Sequence, residues 1–105
     1  MIQLSEENRS GWCVVAVRGR ADAESAEVLE AALLAAVGKC GRVAADLATL
    51  DYVSSAGLRA FIQTARAAEA RQGEFAICRL TPSVQRVFEM SGLHQLLKIQ
   101  GVLPC

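Results

Sequence analysis

The sequence predicts an α/β domain, a small mixed sheet of about four or five strands with helices packed mainly on one face. Two observations carry this expectation. Short apolar runs of strand length alternate with longer segments rich in Ala, Leu and Glu, in the order β-β-α-β-α-β-α-β. Strands separated by helical crossovers pair in parallel, whereas the first two are close enough in sequence to form a hairpin.

Ile2-Gln3-Leu4-Ser5 alternates apolar and polar residues, Glu6 to Gly11 reads as a polar turn, and Trp12 to Val17 is a nearly unbroken apolar run. Gly19-Arg20-Ala21-Asp22 breaks that run, with Asp22 a fair helix N-cap and Ser25 a later option. From Ala23 to Val37 strong helix formers dominate, and Ala26, Leu29, Leu33 and Val37 recur at helical spacing as a buried stripe. Gly38 and Gly41 are expected to close this helix. Arg42 to Leu47 is the next predicted strand and Ala48 to Val53 a connecting loop.

The second helix is expected from Ser54 or Ser55 to about Arg71, with Leu58, Phe61, Ile62 and Ala65 on one apolar face. Gln72-Gly73 ends it, and Glu74 to Leu80 reads as a strand. Thr81 then caps a third helix with Pro82 at its first position and Val84, Val87 and Phe88 inward. Ser91-Gly92 stops that helix, and Leu96 to Ile99 is expected as a last short strand.

Residues 1–105 have the size of one domain, with 52% hydrophobic residues to build a core. Aromatic content is only 5%, which leaves little to stack on bases, and eleven basic residues balance eleven acidic ones. No net field draws such a chain to nucleic acid or to an anionic membrane. Cys13, Cys40, Cys78 and Cys105 are scattered without a C-x-x-C pair, and His94 is the single histidine, which argues against a metal site. Cys13 and Cys78 lie inside apolar runs and read as small hydrophobes rather than disulfide partners. No leader-like sequence opens the chain, and no apolar run approaches the roughly 18 residues of a membrane span, so a cytoplasmic domain is expected.

Ser54-Ser55-Ala56-Gly57-Leu58, at the junction of a strand and a helix, carries the most information. A helix start offers unpaired N–H groups and a positive dipole end, and so accommodates an anion. Three roles compete for Ser55: an ordinary cap, a nucleophile, or a phosphorylation site. A nucleophile needs a base, and His94 is far off in sequence, as are Lys39 and Lys98. Residue 53 is Val, so the G-x-S-x-G elbow is not met. Hydrolase chemistry is therefore not expected, and the chain does not read as an enzyme.

The run from Asp46 through Leu47-Ala48-Thr49-Leu50-Asp51-Tyr52-Val53-Ser54-Ser55-Ala56-Gly57-Leu58 to Arg59 resembles the signature of the STAS domain family. More narrowly, it is similar to the free-standing bacterial anti-sigma factor antagonists. Gly19-Arg20-Ala21-Asp22 and the segment Pro82 to Leu93 match the same family, in consistent order over about residues 2 to 100. The resemblance implies a single STAS domain over 1–105, phosphorylated on Ser55 by a serine kinase that doubles as an anti-sigma factor. Many members have Asp where this chain has Ser54, which makes Ser54 the second choice. It further implies partner switching that regulates transcription or another client process. The unmodified protein binds the kinase, the phosphorylated protein lets go, and a metal-dependent phosphatase restores it. ATP and metal belong to those partners, so no cofactor is expected. Expected partner contacts are Asp22, Asp51, Tyr52, Ser54, Ala56, Gly57 and Arg59, with Asp22 equally a cap and Gly57 equally a packing residue. Arg59, four residues past Ser55, is placed to pair with a phosphate. An alternative is a STAS subunit of a lipid-transport or larger signalling complex whose serine is never modified.

Overall fold

The structure, a computed structural model, describes residues 2–101. Its elements are β1 (Ile2–Arg9), β2 (Trp12–Ala21), α1 (Ala26–Lys39), β3 (Arg42–Val53), α2 (Ser55–Ala70), β4 (Glu74–Cys78), α3 (Pro82–Met90), a 3-10 turn (Leu93–Gln95) and β5 (Lys98–Gln100). The five strands form one sheet in the order β1-β2-β3-β4-β5. β1 pairs antiparallel with β2, and the other neighbours pair in parallel.

Alternate residues on each strand face opposite sides, and the two sides differ. Val15, Val17, Val43, Ala45, Leu47, Leu50 and Ile77 join the buried residues of all three helices, among them Leu29, Leu33, Phe61 and Phe88, in the main core. Phe61 and Phe88 bring α2 and α3 together, ring centroids 5.8 Å apart. Trp12, Val14, Ala44, Ala76 and Cys78 form a second buried cluster that no helix residue joins. Arg42 and Lys98 lie over the Trp12 ring at 5.8 and 5.9 Å. The helices therefore occupy one face, as the sequence predicts. Burial, with the nearby Asp46 charge adding to it, pushes the Cys78 thiol up to about 11.

Several boundaries differ from expectation. The polar run Glu6 to Arg9 is strand, and the turn is only Ser10-Gly11, with φ of 51° and 87°. Two positive φ values are what a two-residue hairpin turn matching the sheet twist requires. α1 runs through Gly38 to Lys39 and ends on an extended Cys40 rather than on a glycine cap. Ala48 to Val53 continues β3 instead of looping, because β2 itself extends to Ala21 and offers partners up to the pair Ala21 and Val53. Two register shifts, at Ala16/Arg18 and Gly19/Arg20, keep the pairing going past irregular backbone. Asp46 braces this stretch: its carboxylate accepts from the Ala48 N–H (3.2 Å) and from Arg79 Nε (3.0 Å), with Arg79 Nη2 on its second oxygen. β4 stops at Cys78 because Arg79 takes φ of 56°. The last strand starts two residues later than expected, after the 3-10 turn that holds His94.

Cys13 is not a simple hydrophobe. The end of α1 lies over β2 and pairs Cys40 with Cys13 as a disulfide, Cα atoms 6.2 Å apart. Cys78 is free and buried, and Cys105 lies outside the described residues.

Candidate functional site

β2 and β3 end side by side, at Ala21 and Val53, and each hands over to a helix. Residues just past the carboxyl ends of parallel strands are where α/β sheets present their chemistry. The Asp22 turn and the Ser54-Ser55 turn are thereby brought together. The Ser54 N–H (2.8 Å) and the Ser54 hydroxyl (2.9 Å) both donate to the Ala21 carbonyl. Ser54 Oγ also accepts from the Gly57 N–H at 3.2 Å, which makes Ser54 the N-cap of α2.

Ser55 is different. It is the first helical residue and is exposed, and its hydroxyl has no hydrogen-bond partner among the described residues. Adjacent serines therefore do separate jobs: one oxygen is held inside the helix cap, and the other is presented to solvent at the positive end of a 16-residue helix.

Asp22 caps α1. Its Oδ1 accepts from the Ser25 N–H at 2.9 Å, and Ser25 Oγ accepts from the Asp22 N–H at 3.0 Å. This is the reciprocal arrangement of a capping box. The Ser25 hydroxyl and then its N–H, both bonded to the carboxylate, hold Asp22 below the usual carboxylate range. Asp22 and Ser25, offered by the sequence as alternatives, thus act as a pair.

Asp51 and Tyr52 are exposed on the last turn of strand before Ser54, and Arg59 is exposed on α2. Ala56 is half-buried, and Gly57 is buried. A Cβ on Gly57 would meet the Ala21 carbonyl oxygen at 2.8 Å and Val53 Cγ2 at 2.9 Å. The chain itself covers Gly57, whose lack of a side chain lets α2 sit close to the strand ends.

Two features went unread in the sequence. Arg20 stacks its guanidinium 4.3 Å above the Tyr52 ring, because Arg20 and Tyr52 are paired across β2 and β3. A groove of about 560 Å³ also runs between α1 and the first turn of α2, with Ala56 and Arg59 on one wall and Glu27, Glu30 and Leu34 on the other. The signal for the groove was present in α1, which is apolar on more sides than burial against one sheet requires.

A family model described as Mlab, STAS domain matches residues 5–99. BtrV of Bordetella bronchiseptica, to which the role of anti-sigma factor antagonist is assigned, is 38% identical over 99 residues, covering 93% of this chain and 85% of that protein. An anti-sigma factor antagonist from Mycobacterium paratuberculosis has a similar crystal structure: TM-score 0.88, 26% identity, 98% of this chain and 88% of that one covered. The Bacillus cell fate determinant SpoIIAA in its phosphorylated form shares the fold at TM-score 0.70 and 22% identity, over 94% of this chain and 90% of its own.

Proposed function

The chain belongs to the STAS domain family, and from that premise we propose that it is an anti-sigma factor antagonist working by partner switching on Ser55. Unmodified, it binds an anti-sigma factor that is also a serine kinase. Phosphorylated on Ser55, it releases that partner, and a metal-dependent phosphatase returns it to the binding state. The observation that carries this reading is the exposed, unbonded Ser55 hydroxyl beside a Ser54 hydroxyl already engaged in the cap. The relatives' names support the antagonist role.

A phosphate adds about −1.5 to −2 charges and several strong acceptors at the helix start. The N–H groups and dipole of α2 hold that charge at low cost, and Arg59, one turn on, supplies a charge-assisted partner. The fold therefore survives modification. A partner surface packed on a neutral Ser55 does not, because burying an unpaired dianion costs several kcal/mol and each 1.4 kcal/mol is about tenfold in affinity. Asp51, Tyr52, Ala56 and the Asp22 turn complete the surface around the serine.

The test is binding of purified Ser55→Ala and Ser55→Asp to the anti-sigma factor kinase of the same genome. Ser55→Ala should bind like the unmodified protein, and Ser55→Asp should bind at least about tenfold more weakly. Equal binding by the two variants contradicts the mechanism. A second reading, a STAS subunit whose serine stays unmodified, draws on the family model's own description. It predicts that equal binding.

A further inference from the structure

α1 has an outer face that the fold leaves uncovered. Its inner stripe, Leu29, Leu33, Ala36 and Val37, is buried in the main core, as one face of a surface helix should be. Yet the opposite side is also apolar. Val28 is 56% exposed, Ala31 and Ala35 are exposed, and Leu34 is half-buried in the wall of the groove against α2. A helix apolar on both sides is ordinarily covered on both. α2, by contrast, turns Arg59, Gln63, Arg66 and Glu69 to solvent.

The charges on the α1 wall of the groove are acidic, with Arg59 of α2 on the opposite wall. Glu24, in the turn before α1, and Glu27 and Glu30 on the helix follow at three-residue spacing, and none forms an ion pair among the described residues. Mutual repulsion at this spacing offsets part of what the helix dipole gives acidic residues near its start. The groove opens beside Ala56 in the first turn of α2, so this face is continuous with the Ser55 surface. A second copy of the chain is a poor occupant, since a two-fold contact through α1 sets the acidic row against itself.

We propose that the outer face of α1 and the α1–α2 groove dock a basic, amphipathic segment of the anti-sigma factor kinase. Its apolar side chains sit on Val28, Ala31 and Leu34, and its Lys or Arg residues face Glu27 and Glu30. This rests on the partner-switching reading and adds a second contact that Ser55 does not touch. The groove supplies affinity and orientation, and Ser55 decides whether the complex forms.

The experiment compares four forms of the chain against the purified kinase of the same genome: unmodified, Glu27→Lys/Glu30→Lys, Glu27→Gln/Glu30→Gln, and Ser55→Asp. The lysine pair should weaken binding by about tenfold or more, and the glutamine pair should weaken it less and flatten its dependence on salt. Circular dichroism on each variant confirms the fold. A photo-crosslinking residue at Ala31 should capture a kinase peptide that carries Lys or Arg among apolar residues. If Ser55→Asp blocks binding while both charge variants bind normally, the docking proposal is wrong and the switch stands. If neither Ser55→Asp nor the charge variants alter binding, the switch reading itself fails. Capture of an acidic peptide, or of a second copy of this chain, at Ala31 also overturns the proposal.

Discussion

Two neighbouring hydroxyls of the same chemistry are told apart by what each already does. Ser54 Oγ lies 2.9 Å from the Ala21 carbonyl and 3.2 Å from the Gly57 nitrogen, so removing it empties a cap and loosens the tie to β2. Ser54→Ala should cost about 1 kcal/mol in urea unfolding, and Ser55→Ala should stay within about 0.5 kcal/mol. A larger loss at Ser55 than at Ser54 would contradict the assignment. Asp22 gives a prediction in pH. Its carboxyl is held below the ordinary value by Ser25, so ionisation is easier in the folded state. Its contribution is therefore complete above the unfolded carboxylate range, about pH 4, and is lost as pH falls through the lowered folded value. Asp22→Asn should be less stable than the parent at pH 7, with the gap narrowing below about pH 4. A gap that widens in acid would reverse the sign.

At the scale of elements, the site depends on how closely α2 meets the strand ends. Gly57 is the point of contact, where any side chain runs into backbone at Ala21. Gly57→Ala should destabilise by about 1–3 kcal/mol through overpacking, measured by thermal or urea unfolding. A neutral or stabilising change would show that α2 has room to shift. Gly57 in the Ser-Ser-Ala-Gly-Leu run was legible in the sequence, as were the Thr81-Pro82 helix start and the one-sided stripe of α2. These signals are local. β3 was legible only in its first half, because Thr49, Asp51 and Tyr52 face outward and two register shifts disrupt the alternation that marks a strand. Glu6 to Arg9 hid for a related reason, since an edge strand carries charge along its exposed positions. The Cys13–Cys40 pairing depends on where α1 comes to rest over β2, which no local pattern encodes. The groove beside Ser55 belongs to the same class, being a property of two helices rather than of either.

For the molecule as a whole, the balance of charge matters. Eleven basic and eleven acidic residues leave the unmodified chain without net charge, so a phosphate changes its electrostatic character by almost its full value. On the proposed Ser55 site that change would fall where β2 and β3 end, beside a sheet whose helix-covered face is a continuous buried core. The proposal is that recognition responds and the fold does not. The most direct measurement is to incubate the chain and its Ser54→Ala and Ser55→Ala variants with the kinase and ATP, then locate the phosphate by mass spectrometry. We expect phosphate on Ser55 of the parent and of Ser54→Ala, and none on Ser55→Ala. Phosphate on Ser54 alone, or on neither serine, would contradict that expectation.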